Sequence, residues 1–132
     1  MTIQHIDPEG LSPAPGYSQV TVATGRHVFT AGAVPLDAAG TLVGEGDPLE
    51  QTAQVLRNLR VALEAAGVTA EDVAKITVYV VPRDPGTLRE VWGVIRSSPE
   101  IDLLPTAATL VGVSELGYAR QLVEVEAIAV VG

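Results

Sequence analysis

The chain of 132 residues has no cysteine, one lysine, two histidines and only 4% aromatic residues. Without cysteine it has neither a disulfide framework nor a thiol nucleophile. His5 and His27 have no paired metal-ligand spacing around them, and no Gly-x-Ser-x-Gly segment indicates a serine nucleophile. No Gly-x-Gly-x-x-Gly fingerprint indicates a dinucleotide. The sequence therefore predicts neither a metal site nor a cofactor.

Long apolar runs are missing as well. No segment approaches the roughly 20 consecutive apolar residues of a membrane-spanning helix. The first eight residues lack the basic and apolar parts of a signal peptide. We therefore expect a cytoplasmic protein that has no membrane partner.

Positive charge is scarce, because eight basic residues stand against sixteen acidic ones, for a net charge of -8. Lys75 is the single lysine, and the seven arginines are scattered along the chain. Nucleic-acid binding takes its affinity from Lys and Arg side chains that displace counterions from phosphates. The composition therefore argues against a nucleic-acid partner.

What the sequence does contain is the pattern of one α+β domain over residues 1–132. A chain of this length buries roughly two-thirds of its unfolded surface, and 47% of its residues are hydrophobic. After an extended lead-in of 19 residues, local patterns predict the order β-β-α-β-α-β-β. The predicted strands cover residues 20–23, 27–31, 73–81, 106–113 and 121–131.

Three turn and cap signals give this order its boundaries. Asp47 as N-cap and Pro48 as first helical residue predict a helix that ends at Gly67. Residues 87–90 have the form of a capping box and predict a second helix to about Ser97. Residues 24–26 predict a hairpin between the first two strands. The apolar stripe of the first helix is predicted at Leu49, Ala53, Leu56, Leu59, Leu63 and Ala66.

The last predicted strand carries two carboxylates among apolar residues. Because side chains alternate along a strand, Glu124 and Glu126 share one face, and the other face is purely apolar. One interpretation is that both side chains face solvent at a sheet edge, since exposed glutamate is ordinary. The other is a polar pocket in an apolar sheet, which is how small-molecule sites are built.

Several segments together resemble the Rid (YjgF) family. Residues 105–113 followed by 123–127 resemble its C-terminal signature, and the likeness continues through residues 16–19 and 29–35. It extends to the helix at 51–67 and the strand at 75–80. No single segment is specific, but together they cover essentially the whole chain in the family's order.

This resemblance implies a chorismate mutase-like fold, a homotrimer whose sheets face inward, and clefts between subunits. The sequence pattern also predicts an oligomer, independently of the resemblance. Two helices cover only one face of such a sheet, and the strand Ile76–Val81 reads as apolar on both faces. An apolar face of that size is not left exposed by a soluble monomer, so a second copy of the chain is expected to cover it.

The resemblance also implies a site for a small-molecule metabolite. It places Tyr17, Ser18 and the backbone around Gly32 in the cleft, together with Glu124. In deaminating members the matching glutamate orients the water that attacks an imine carbon, a task that suits a carboxylate. From the residues alone, Tyr17 is equally well an aromatic anchor of the lead-in, and Ser18 is more readily a turn hydroxyl.

One position departs from the family pattern. Deaminating members have a Pro-x-Arg step whose arginine binds the substrate carboxylate, and here the third residue is Ala107. Arg89 or Arg120 is a candidate replacement, although either also fits as a solvated arginine. The alternative is an uncharged pocket lined by Ala107, Ala108, Val34 and Trp92.

The sequence is compatible with two functions. The first is an enzyme acting on a small enamine, imine or related unsaturated carbonyl compound, with Glu124 as acid/base and weak or absent 2-imino-acid deaminase activity. The second is a trimer that binds a metabolite or docks a partner without turnover. Some family members carry an endoribonuclease label, but the acidity of this chain gives that chemistry no support.

Overall fold

The structure is a computed structural model that describes residues 3–132. It contains two helices and six strands, with a short 3-10 turn at Ala70–Asp72 before the fourth strand. In chain order they are β1 (Gln4–Ile6), β2 (Val20–Val22), β3 (Arg26–Phe29), α1 (Pro48–Ala65), β4 (Val73–Val80), α2 (Thr87–Ser97), β5 (Ala107–Gly112) and β6 (Val123–Val131).

The main sheet has four strands in the order β3-β6-β4-β5. β6 is antiparallel to β3 and β4, and β4 is parallel to β5, to which α2 forms the crossover. β1 and β2 form a separate antiparallel pair, which Thr21 joins to β4 through a 2.5 Å hydrogen bond from Oγ1 to the Ala74 carbonyl. The predicted α+β class, a mixed sheet with two helices, is confirmed.

Both helices pack on the same face of this sheet. Side chains alternate along β6, so the purely apolar set from Val123 to Val131 faces the helices. The principal buried residues of this core are Val55, Leu56, Leu59, Leu63, Ile76, Val78, Val80, Val91, Ile95, Val123, Val125, Ala127 and Ala129. We call the opposite face, which no helix of the described residues covers, the open face.

The first helix begins where its cap signal predicts. Asp47 Oδ1 accepts hydrogen bonds from the amides of Leu49 and Glu50 at 3.0 and 3.2 Å. Gly67 follows the helix with φ +74°, a conformation that favours glycine. The predicted apolar stripe is wrong at both ends, because Leu49 and Ala66 are exposed. The buried face includes the polar residues Gln51, Thr52 and Gln54 instead.

The predicted hairpin between the first two strands is wrong. β2 pairs with β1, which lies inside the segment predicted as an extended lead-in, and β3 pairs with β6 at the end of the chain. Residues 24–26 therefore link two different sheets. Gly25 lies directly against the Val131 carbonyl, since a Cβ there would be 2.1 Å from that oxygen. Pairing with a distant strand has overridden the local turn signal.

The second helix has the predicted bounds but not the predicted cap. Gly86 is the N-cap, and the Thr87 hydroxyl accepts hydrogen bonds from the amides of Arg83 and Asp84 at 3.1 and 3.2 Å. The preceding turn uses the hydroxyl that a capping box would need, so no capping box forms.

The open face is not apolar throughout, which corrects the reading of Ile76–Val81. On β4 it carries Lys75, Thr77 and Tyr79, all half-buried. The register places Glu126 beside Thr77 and Glu124 beside Tyr79. In residues 3–132 no helix is long and apolar enough to cross a membrane.

Candidate functional site

Glu124 lies on the open face of β6, directly beneath the segment that follows β3. That segment continues the pairing with β6, with Ala33 donating to the Val125 carbonyl at 2.7 Å and accepting from its amide at 3.2 Å. A Cβ built on Gly32 would lie 2.0 Å from Glu124 Oε2 and 2.5 Å from its Cδ. Glycine at this position is therefore what lets the backbone rest on the carboxylate.

Gln121 holds the other oxygen of the same carboxylate. Its Nε2 donates to Glu124 Oε1 at 3.0 Å and to the Val123 carbonyl at 3.0 Å, and the side chain is only 3% exposed. Gln121 Oε1 in turn accepts from the Tyr118 amide at 3.2 Å. Because every partner fixes the next, the Glu124 carboxylate is preorganised. Sequence reasoning missed Gln121, whose only signal is its place three residues before Glu124.

Glu126 has a different partner. Tyr79 donates its hydroxyl to Glu126 Oε1 at 2.5 Å. This hydrogen bond raises the pKa of the Tyr79 phenol above its ordinary value, and burial and the charges of Glu126 and Glu124 act in the same direction. Both carboxylates are half-buried, so neither is simply a solvated edge residue.

Tyr17 combines the two roles left open for it. Its ring packs edge-on against Trp92, with centroids 6.0 Å apart, and Trp92 Nε1 donates to the Pro15 carbonyl at 2.9 Å. These contacts anchor the lead-in. The same rings line a cavity of about 270 Å³ together with Pro15, Ala108 and Leu110.

Ser18 is 2% exposed and fully engaged. Its hydroxyl donates to the Pro105 carbonyl and lies 3.2 Å from His5 Nδ1, while its amide donates to the Thr106 carbonyl at 3.1 Å. These bonds join the lead-in to the start of β5, beside Ala107. The contacts are those of a structural hydroxyl.

Ala107 opens β5 on the open face, where its register partner on β4 is Lys75. Lys75 Nζ donates to Thr109 Oγ1 at 2.7 Å. The two arginines considered as replacements lie elsewhere. Arg120 Nε forms an exposed ion pair with Glu45 at 2.6 Å, and Arg89 is exposed on α2.

The uncharged pocket predicted from sequence is not formed within one chain. Ala108 and Trp92 do line the cavity beside Tyr17. Ala107 faces the other side of β5, because successive residues of a strand alternate. Val34 follows the Gly32 segment, where its carbonyl accepts from Asn58 Nδ2 at 2.7 Å.

The candidate residues on the open face therefore form two separate groups within one chain, apart from Tyr17 and Ser18 in the lead-in. Glu124, Gln121 and Gly32 lie at one end of β6, and Ala107 with Lys75 lies at the start of β5. Glu124 pairs with Tyr79, which is four residues along β4 from Lys75, the partner of Ala107. With strands about 4.8 Å apart and about 3.3 Å per residue, the two groups are about 16 Å apart. A small imine in contact with Glu124 is therefore not expected to reach the Ala107 methyl group of the same chain.

Metal binding finds no support in the described part of the chain. Among residues 3–132, no three His, Asp or Glu side chains converge on a common point. His5 contacts Ser18, and His27 stacks on Phe29 with ring centroids 6.1 Å apart.

The family model described as Endoribonuclease L-PSP matches residues 8–131. The 2-iminobutanoate/2-iminopropanoate deaminase of Mus musculus is 34% identical over 117 residues, which cover 88% of this chain and 82% of that protein. A RutC family protein of Pyrococcus horikoshii is 43% identical over 68 residues, which cover 52% of this chain and 53% of the relative. The chain thus spans about half the length of this last relative.

Solved structures extend the likeness to the whole fold. A Rid family protein of unknown function from Yersinia pestis, YyfB, superimposes with a TM-score of 0.86 at 35% identity. The match covers 99% of this chain and 100% of that protein. The strands and helices that carry the two groups of site residues are therefore shared with a solved structure.

Proposed function

We propose that this chain, which belongs to the Rid family described by the Endoribonuclease L-PSP model, hydrolyses a small reactive enamine, imine or related unsaturated carbonyl metabolite. The observation that carries the proposal is the preorganised Glu124 carboxylate. Gln121 donates a hydrogen bond to one of its oxygens, and the Gly32 backbone packs against the other. The mouse relative is named as a deaminase of two 2-imino acids, which is chemistry of this class.

The chemistry requires only water and one carboxylate. Glu124 takes a proton from a water molecule whose oxygen adds to the imine carbon, giving a carbinolamine. The protonated Glu124 returns that proton to the nitrogen, which makes the carbinolamine neutral. Glu124 then accepts the proton of the new hydroxyl group and passes it to the same nitrogen, so the C–N bond breaks, ammonia leaves, the carbonyl forms and Glu124 is again a carboxylate. The sum is imine plus water giving carbonyl compound plus ammonia. A carboxylate fixed by hydrogen bonds loses little freedom when it orients the water.

The cleft in this proposal is shared between two copies of the chain in a homotrimer. Glu124 and Ala107 lie about 16 Å apart in one chain, as estimated from sheet spacing and register. The open face between them carries Tyr79, Glu126 and Lys75, and no helix of residues 3–132 covers it. A second copy on this face would bring its own Glu124 group toward the Ala107 group of the first copy.

Ala107 restricts the substrate. An arginine grips a carboxylate with two charge-assisted hydrogen bonds, and a methyl group cannot replace them. Losing this grip costs on the order of 2–4 kcal/mol, which is about ten- to a thousandfold in rate. Within one chain, Arg120 is paired with Glu45 and Arg89 is exposed on α2, so neither is held in front of Ala107. We therefore propose slow turnover of 2-imino acids and faster turnover of substrates without a carboxylate.

The second candidate is a trimer that binds a metabolite without turnover. Ala107 fits this function equally well, as does the apolar cavity of about 270 Å³ beside Tyr17 and Trp92. Turnover that depends on Glu124 separates the two candidates.

The test compares Glu124→Gln with Glu126→Gln, a matched change two residues along the same face. Imines with and without a carboxylate are generated in situ by amine and amino-acid oxidases, and ammonia release is followed against a blank without protein. Hydrolysis should fall at least about a hundredfold in Glu124→Gln and remain near wild type in Glu126→Gln. Equal losses in both variants, or hydrolysis that survives in Glu124→Gln, would overturn the proposed role of Glu124. Ligand binding without hydrolysis in wild type would establish the second candidate.

A further inference from the structure

Lys75 is the one lysine of the chain, and the fold places it next to the position where the family arginine is missing. Lys75 and Ala107 are register partners on β4 and β5, so their side chains leave the open face side by side. Cross-strand partners have Cβ atoms about 5 Å apart. A lysine there reaches the space in front of the Ala107 methyl group.

The ammonium group of Lys75 is held by one hydrogen bond and forms no ion pair among residues 3–132. Its Nζ donates to Thr109 Oγ1 at 2.7 Å, which places it on the open face beside Thr109, two residues along β5 from Ala107. None of the ion pairs within residues 3–132 includes Lys75, whereas Arg57, Arg60 and Arg120 all have carboxylate partners. An ammonium has three donors, so two remain for a ligand.

Arg26, the other cation on a strand, faces the helices, because its register partner on β6 is Val131. On the strands, the register puts Lys75 alone among Lys and Arg side chains of the open face. The anionic groups of that face, Glu124 and Glu126, already accept from Gln121 and Tyr79. The open face at Ala107 therefore has one positive charge, that of Lys75, next to the small methyl group of Ala107.

We infer that Lys75 is the anion-recognising residue of the cleft, holding the carboxylate of a small monocarboxylate ligand in front of Ala107. The inference rests on the proposed function, since it names the polar contact of that same cleft. An ammonium acts as a point charge without the planar fork of a guanidinium. It therefore retains a carboxylate but orients it less strictly, so binding persists where turnover of 2-imino acids is slow.

The first test uses wild-type protein and exploits the single lysine. Protein carrying lysine labelled with ¹³C at Cε gives one NMR resonance, which belongs to Lys75. It is titrated with 2-oxobutanoate, a monocarboxylate, and with 2-oxobutanamide, its neutral counterpart. The carboxylate should shift the resonance in a saturable manner and the amide should not. A resonance that stays in place at saturating carboxylate, or no carboxylate binding at all, would overturn the inference.

The second test measures affinity in variants that keep the wild-type mass in solution. Lys75→Met should weaken 2-oxobutanoate binding at least about tenfold and leave 2-oxobutanamide binding unchanged. Lys75→Arg should restore the carboxylate affinity to within about threefold. Arg26→Met, which removes an exposed positive charge on β3 away from the open face, is the matched control and should have no effect. Equal affinity for the carboxylate in Lys75→Met, or equal losses for both ligands, would contradict the inference.

These outcomes separate the inference from the proposed function. Hydrolysis that depends on Glu124, with carboxylate affinity unchanged in Lys75→Met, would remove the inference alone. Carboxylate binding that depends on Lys75, with hydrolysis unaffected by Glu124→Gln, would remove the proposed function alone.

Discussion

At the scale of single residues, Glu124 and Glu126 show how neighbours separate two identical side chains on one strand face. Glu126 accepts from the Tyr79 hydroxyl at 2.5 Å, a partner that ties it into the sheet. Glu124 is fixed by an amide donor of Gln121 and lies against the Gly32 backbone. Because Tyr79 ties Glu126 into the sheet, we expect Glu124 to be the acid/base of the pair.

Ala107→Arg should recover part of the 2-imino-acid hydrolysis that the wild type performs slowly. A guanidinium at position 107 would restore a bidentate contact with the substrate carboxylate, for a gain on the order of tenfold or more. The assay traps the product of 2-iminobutanoate made in situ, for example as a semicarbazone.

The double variant Ala107→Arg with Glu124→Gln is its control and should lose the recovered activity. Because arginine is much larger than alanine, the variant must first be shown to keep the wild-type mass in solution. A well-assembled Ala107→Arg protein without recovery would mean that the cleft serves other chemistry or binding alone. Fast wild-type turnover of 2-iminobutanoate would mean that another residue already fills the arginine's role.

Gly32→Ala should reduce hydrolysis about as strongly as Glu124→Gln. The added Cβ would lie 2.0 Å from Glu124 Oε2, so the carboxylate must leave the position in which Gln121 holds it. Gly93→Ala is the matched control, because a Cβ at that position on α2 meets nothing within 4 Å. The rate constant for the best imine substrate is the readout. Unchanged hydrolysis in Gly32→Ala would show that the position of Glu124 does not matter to the reaction.

At the scale of elements, local signals predicted helix ends well and strand partners badly. The start of α1 follows from Asp47 and Pro48, whose hydrogen bonds reach only two or three residues. The hairpin at residues 24–26 failed because β3 pairs with β6, about a hundred residues away. Turn residues report local conformation, but the partner of a strand is decided by packing across the whole chain.

In the candidate site, too, local patterns were predicted and contacts between distant strands were not. Alternation along β6 placed Glu124 and Glu126 on one face, as the structure confirms. Alternation of side chains along a strand does not distinguish Glu124 from Glu126. The family resemblance selects Glu124. The contact of Gln121 with Glu124 and the place of Lys75 beside Ala107 were not predicted, because they depend on a side-chain conformation and on the register between β4 and β5. The sequence of one strand does not by itself determine its register with a distant strand.

Gln51 is the polar residue that fastens α1 to the strand carrying Glu124. It is fully buried, and its Nε2 donates to the carbonyls of Gly44 and Arg120 at 3.1 and 3.0 Å. Its Oε1 accepts from the Leu122 amide at 2.7 Å. The helix thereby fixes the turn from which Gln121 and Glu124 follow.

Gln51→Leu should lower the free energy of unfolding by about 3 kcal/mol, because three backbone groups lose a buried partner. Gln4→Leu, an exposed change of the same kind, should stay within about 0.5 kcal/mol of wild type. Denaturant unfolding at one fixed protein concentration gives both values. Similar stability of the two variants would mean that water replaces the side chain without cost.

At the scale of the whole molecule, charge bears on the endoribonuclease label of the matching family model. The chain has a net charge of -8, and its cations are scattered or paired with carboxylates. Such a surface repels phosphates rather than concentrating them.

Homogeneous protein should therefore leave a labelled single-stranded RNA intact. The measurement follows RNA length over time at low ionic strength, where electrostatic attraction is strongest. Glu124→Gln, purified in parallel, is the control for contaminating nuclease. RNA cleavage by wild type that disappears in this variant would prove the expectation wrong, whereas cleavage by both preparations would identify a contaminant.

The proposed shared cleft follows from the distance between Glu124 and Ala107, which is about 16 Å in one chain by sheet spacing and register. Light scattering coupled to size exclusion tests it most directly, without any knowledge of the substrate. We predict a mass three times the 13.7 kDa of one chain, maintained at micromolar concentration. A monomer of 13.7 kDa under these conditions would contradict it, since each chain would then carry only half of the site.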